Sequence, residues 1–294
     1  MPSAITPLSE ASLAAILDRQ GHEACPGVTL ESDIEIAPAT ASSPRLYVAV
    51  YRPEQRPAKP GPALLAFHGG GFSGGNPHGV GAIAKTLALT LGVTTVGVSY
   101  RLGTTEAPTW PGVVDDAAAG WRWIHANAAR LGIDPTRIAV SGESAGCLLS
   151  GHLAVRSPLV APGIAGLPGP AAFISQWGPL DFVVRWFDNG ENPGAEVNLF
   201  GPGGHHAHPR LYHHASVLAH AHGTLPPGLF IYGRRDPVVH ARQGRLGESA
   251  WRAAGAHSEL MILDNIGHGV SGDNREQRRI SLEKIVAFSA WRWA

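Results

Sequence analysis

Seven short apolar runs rich in β-branched residues punctuate this chain, and stretches of helical character separate them. That alternation fits a parallel or mostly parallel sheet covered by helices on both faces, an α/β fold. The runs fall at 45–51, 63–67, 93–99, 137–141, 171–176, 228–232 and 259–264. Several are apolar throughout, as strands buried on both faces must be. Helices are expected at 80–90, 113–130, 145–155, 243–254 and 275–291, with a short amphipathic helix at 9–19 packed outside the sheet. From 177 to 227 the alternation gives way to Gly, Pro, His and aromatic residues, too long for an ordinary connection. This segment is expected to form a lid or pocket wall inserted in a single domain spanning 1–294.

Composition narrows the function. The 294 residues carry 23 Lys and Arg against 23 Asp and Glu, so no global field draws the chain to nucleic acid or to an anionic membrane. The first residues lack the basic start and apolar stretch of a signal peptide, and no later run is long enough to span a bilayer. A cytoplasmic location is expected, with a secreted origin left open. The two cysteines, Cys25 and Cys147, form no CxxC pattern and are read as free thiols.

The strongest local signal is Gly142-Glu143-Ser144-Ala145-Gly146, between the run RIAVS and a helical segment. A serine in a sharp strand-to-helix turn is forced into strained backbone geometry, and flanking glycines remove Cβ atoms that would clash. Its hydroxyl then stands exposed at the carboxyl edge of the sheet, next to a helix N-terminus. Glu143 is expected to be a structural carboxylate behind this turn, because adjacent residues of a tight turn rarely face the same way. Upstream, directly after the run ALLAF, comes His68-Gly69-Gly70-Gly71-Phe72. Unobstructed glycine N–H groups here, with that of the residue after the serine, suit an oxyanion; Gly70, Gly71 and Ala145 are the expected donors. Neither phosphate-cradling glycine motif is present. His68 is read as a loop-shaping residue, and Phe72 as either a substrate-pocket wall or a core aromatic.

A serine nucleophile needs a base and a group to orient that base. After GLFIY comes Gly233-Arg234-Arg235-Asp236, and after ELMILD comes Gly267-His268-Gly269. The order Ser144, Asp236, His268, each beyond a successive strand, matches the order such a fold requires. Asp181 is a rival acid. Of the 15 histidines, His205, His206, His208, His213, His214, His220 and His222 crowd the irregular segment. No dense ligand spacing accompanies them, so a solvated or pocket-wall cluster is expected rather than a metal site.

Taken together, HGGGF, the SYRL after the next run, DDAAAGWRWIHANAARLGIDPTRIAVSGESAG, PRLYHHASVLAHAHGTLPPGLFIYGRRDPVV and GHG resemble the hormone-sensitive-lipase-like serine esterases of the α/β-hydrolase fold. Within that group the chain is most similar to bifunctional feruloyl and acetyl-xylan esterases and to kynurenine formamidases. The resemblance implies a carboxylic ester hydrolase without cofactor or metal. It would cleave short acyl esters, acetyl or hydroxycinnamoyl, of small molecules or carbohydrates. A formamidase-type amidase with the same triad, or a hydrolase-fold binding protein, are the alternative readings, and a homo-oligomer is left open. Two departures stand out: Cys147 occupies a position where these relatives usually carry glycine, and the N-terminal region is short for a two-helix cap.

Overall fold

Eight strands form one sheet in the computed structural model, which describes residues 10–18, 21–41, 43–55, 58–269 and 274–293. They are β1 (Val28–Ala37), β2 (Leu46–Pro53), β3 (Gly61–Phe67), β4 (Thr94–Val98), β5 (Ile133–Glu143), β6 (Phe173–Gln176), β7 (Gly228–Gly233) and β8 (Ser258–Leu263). The spatial order is β1-β2-β4-β3-β5-β6-β7-β8. The first two pairings, β1 with β2 and β2 with β4, are antiparallel, and all the others are parallel. The helices are α1 (Glu10–Asp18), α2 (Gly81–Leu91), α3 (Gly112–Ala126), α4 (Ala128–Leu131), α5 (Gly146–Ala154), α6 (Phe182–Asp188), α7 (Val197–Phe200), α8 (Gly204–Ala207), α9 (Pro209–Ala215), α10 (Arg242–Ala253) and α11 (Arg275–Trp293).

The seven apolar runs became β2 to β8, with ends shifted by a few residues. The sequence reading missed β1. Its stretch VTLESDIEIA carries three acidic residues, and most of its positions are exposed or half-buried because it is an edge strand with one neighbour. Helix 113–130 is two helices, interrupted at Asn127, whose side chain donates to the Trp123 carbonyl at 2.9 Å. Positions 9 and 19 of the first expected helix lie outside the described residues.

Alternation along the central strands divides the core between two faces, since successive side chains point to opposite sides. Leu65, Phe67 and Val140 pack with Val114, Trp121 and Ile124 of α3 and with Leu148 and Leu149 of α5. On the other face, Leu64, Ala66 and Ala139 pack with Ile83 and Leu87 of α2 and with Ile285 and Phe288 of α11. Each large side chain buried this way contributes roughly 1.5–3 kcal/mol, which explains why neither face can be polar. The parallel register aligns Phe67 with Gly142, Glu143 with Gln176 and Gly233 with Leu263, so the loops that follow β3, β5, β6, β7 and β8 leave by one edge.

The SYRL segment after β4 braces that edge. The Tyr100 hydroxyl donates to the His68 carbonyl at 2.8 Å. The Asp116 carboxylate of α3, with 2 % of its side chain exposed, accepts from the Arg101 amide, Nε and Nη2 at 2.8, 2.8 and 2.7 Å. Removing one partner of such a pair strands a buried charge. Asp116→Ala should therefore lower the unfolding free energy by about 3 kcal/mol in urea titration; a loss below about 1 kcal/mol would make the pair no more than a surface contact.

Candidate active site

Ser144 sits where β5 turns into α5, and its φ of 49° lies in the left-handed region. For a residue with a side chain that conformation costs roughly 1–2 kcal/mol, so the surroundings must impose it. They do so by close backbone approach. A Cβ on Gly142 would lie 2.3 Å from the Gly146 carbonyl carbon, and one on Gly146 would lie 2.3 Å from the Phe67 carbonyl oxygen. The Ser144 amide donates to the Gln176 carbonyl at 2.9 Å, tying the turn to the end of β6. Cys147 is accommodated because its neighbour is Gly178, where a Cβ would stand 2.1 Å from the cysteine Cβ. Its thiol donates to the Gly142 carbonyl at 3.0 Å, and burial pushes it up to about 12, so it is a packing group and not a nucleophile. Both cysteines are free and buried.

Three side chains from three loops meet here. The Ser144 Oγ lies 2.8 Å from His268 Nε2, and His268 Nδ1 lies 2.8 Å from Asp236 Oδ2. A carboxylate can only accept, so Nδ1 carries the proton and Nε2 is left to accept from the serine hydroxyl. The other carboxylate oxygen of Asp236 accepts from the Val238 and Val239 amides, both at 2.8 Å, which fixes the acid in place. The Asp236 side chain is fully buried, whereas that of His268 is 25 % exposed. Asp181 is not part of this array: it caps α6, accepting from the Val184 amide at 2.9 Å.

The glycine loop after β3 runs beside the serine. Gly70 has φ 128° and Gly71 φ 58°, and a Cβ on Gly70 would lie 2.1 Å from the Gly74 carbonyl oxygen. The Gly70 carbonyl accepts from the Ser73 and Gly74 amides at 3.1 and 3.0 Å, while no acceptor among the described residues takes the amides of Gly70, Gly71 or Ala145. His68 shapes the loop. It stacks on Tyr100 with ring centroids 4.3 Å apart, its Nδ1 donates to the Gly69 carbonyl at 2.7 Å, and burial pushes it down to about 4. Asn198, which no sequence pattern marked, donates from Nδ2 to the Gly71 carbonyl at 3.0 Å.

Ser144, His268, Gly70, Gly71 and Ala145 line a cavity of about 540 Å³. Phe72 belongs both to its wall and to the core, being 2 % exposed. The segment 177–227 adds Trp177, Phe182, Arg185 and Glu196 to the lining. The histidines of that segment are not among the residues lining this cavity. His206 pairs with Glu191, His208 donates to the Pro202 carbonyl and His220 to the His214 carbonyl, and no metal-ligand group of three occurs among the described residues.

Glu143 corrects the sequence reading. The sequence reading put it behind the turn, whereas it is among the residues lining the cavity beside Ser144. Burial raises its carboxyl to about 7, against an opposing pull from Arg278. A carboxyl raised on folding favours the native state below its ordinary range, and that stability is lost as pH climbs through about 7. Glu143→Gln should thus match the parent near pH 4 and exceed it in urea stability by roughly 1–3 kcal/mol at pH 8. A difference that does not grow with pH would mean the carboxyl titrates normally.

A family model described as the α/β-hydrolase fold matches residues 64–178. Among curated proteins, the chain is 40% identical over 138 residues to an ethyl acetate hydrolase of Pseudomonas putida, covering 45% of this chain and 42% of that protein. It is 42% identical over 93 residues to the carboxylesterase NlhH of Mycobacterium tuberculosis, covering 32% and 28%. The chain thus spans less than half the length of these curated relatives. Among solved structures, a bacterial heroin esterase superposes with TM-score 0.77 at 25% identity, covering 97% of this chain and 90% of that one. A thermostable carboxylesterase from a metagenomic library gives TM-score 0.73 at 22% identity, covering 97% and 95%. With this strand order, a strained serine turn at the sheet edge and these matches, the chain has the α/β-hydrolase fold.

Proposed function

We propose that this chain is a carboxylic ester hydrolase acting through an acyl-enzyme on Ser144. The observation that carries the reading is the unbroken hydrogen-bonded series from Asp236 through His268 to Ser144, with both links at 2.8 Å, opening on a cavity. In the first half-reaction the Ser144 Oγ attacks the ester carbonyl while His268 Nε2 takes its proton. Asp236 stabilises the imidazolium so formed and keeps the ring in the tautomer that can accept. The carbonyl oxygen, now negative, receives the amides of Gly70, Gly71 and Ala145, whose lack of protein acceptors supports that role. His268 then returns the proton to the departing alkoxide, and a water repeats the sequence to release the acid.

The substrate reading is of a short acyl ester, acetyl or hydroxycinnamoyl. The name of the Pseudomonas putida relative, an ethyl acetate hydrolase, favours the smaller group. In this reading, 177–227 is a pocket-wall insertion of a single hydrolase domain. Asn198 is its positioning residue, holding the Gly71 peptide so that the neighbouring amide keeps its aim.

Ser144→Ala should reduce turnover of p-nitrophenyl acetate by on the order of a million-fold with an unchanged circular dichroism spectrum. Retained turnover would remove the serine from the mechanism. Losing a whole oxyanion donor typically costs about a hundred- to a thousand-fold. Asn198→Ala only loosens one, so kcat should fall about tenfold with little change in KM. A rise in KM at constant kcat would instead assign Asn198 to ground-state binding.

A further inference from the structure

One part of the cavity wall comes from two helices that pack on each other, with Ala82 and Ile83 from α2 and Arg278, Ser281 and Leu282 from α11. Glu143 lines the same cavity. The spacing of 278, 281 and 282 puts these three residues on one face of α11. Arg279 falls on another, where Glu276 and Glu283 pair with it.

Arg278 and Glu143 are half-buried, and Ser281 is buried. No hydrogen bond or ion pair joins any of the three side chains to a described residue, yet none of their polar atoms is sealed from accessible space. The space these residues line is the cavity. Its other two carboxylate and guanidinium groups, Glu196 and Arg185, pair with each other. Glu143 feels the Arg278 cation, but burial outweighs that attraction and raises its carboxyl to about 7. Below that pH the wall therefore holds a guanidinium without a counter-ion, a carboxyl that still carries its proton, and a serine hydroxyl.

A half-buried cation without a partner is poorly compensated, and a carboxylate suits it best, since the planar guanidinium can donate to both carboxylate oxygens at once. The Ser281 hydroxyl and the protonated Glu143 supply neutral donors to the same anion. An ammonium would be repelled by Arg278. An alkyl group would displace water from the guanidinium and offer no acceptor in return.

We infer that Arg278, with Ser281 and Glu143 beside it, forms a subsite for a carboxylate group of the substrate, so that the preferred esters carry a negative charge away from the scissile bond. This rests on the ester-hydrolase reading above. The carboxylate can belong to the acyl part or to the alcohol part, and both present the same chemistry to Arg278.

The test measures kcat/KM at about pH 6.5, where Glu143 is mostly protonated and a simple substrate carboxyl is ionised. Two pairs matched in shape separate the sources: monoethyl succinate against ethyl 4-methylpentanoate for the acyl side, and 4-(butyryloxy)butanoate against 4-methylpentyl butyrate for the alcohol side. The parent protein should favour the charged member of one pair by roughly tenfold or more, the usual scale of a hydrogen bond to a charged group. Arg278→Gln keeps a polar side chain of similar reach without the charge, and should bring that ratio to one or below. Ratios near or below one in both pairs for the parent, or a preference that survives in Arg278→Gln, would overturn the subsite while leaving ester hydrolysis standing. Should the variant fail to fold, the parent ratios still decide. No turnover of any of the four esters would sink the ester-hydrolase reading and the subsite with it.

Discussion

The close approach of backbone to backbone at the end of β5 is the constraint on which the site depends. Gly142, Gly146 and the Phe67 carbonyl come within distances that no Cβ could share, and the chain meets that demand by holding Ser144 in the left-handed region. The strain is sustained by a core on each face of the sheet. Leu148 and Leu149 of α5 are fully buried against β3 and α3, so the helix cannot drift away to relax the turn. Because the strain is local and the restraint is distributed, the hydroxyl keeps its place at a solvent-accessible edge.

A second layer of hydrogen bonds joins loops that are remote in sequence. Tyr100 holds the His68 carbonyl, Asn198 holds the Gly71 carbonyl, and the Ser144 amide is held by Gln176. Gln243 of α10 accepts from the amides of Leu180 and Asp181 and donates back to the Asp181 carbonyl, anchoring the start of the pocket wall to the β7 side. These partners are buried or half-buried, where an unmade hydrogen bond is costly. The wall of the cavity and the glycine loop are therefore mechanically one piece, which is the physical basis for assigning positioning roles to residues that touch no substrate.

Much of the fold was legible because its signals are periodic or sterically forced. Apolar runs such as ALLAF and GLFIY read as strands since both sheet faces are buried, and GESAG read as a tight turn since two glycines flank a serine between strand and helix. β1 was illegible for the complementary reason: with one neighbour and exposed positions, it needs no apolar pattern and carries acidic residues that pair with Arg45. Glu143 was misread because the direction of a side chain in a strained turn depends on the actual dihedral angles, which no residue type specifies. Asn198, Arg185 and Glu196 lie in a stretch of short helices and turns without periodicity, and nothing in their local sequence distinguishes them.

What the sequence alone determined is thus the layered α/β architecture, the strand-by-strand order of Ser144, Asp236 and His268, and the glycine loop that leaves amides bare, because each follows from hydrophobic periodicity or from steric demands within a few residues. The tertiary structure alone decided that those three side chains meet at 2.8 Å, that Asp181 caps a helix instead, that Glu143 faces the cavity and that a buried ion pair sits in its wall. The two 2.8 Å contacts join residues 32 and 124 positions apart, and only the parallel register and the packing of the core set the distances between them.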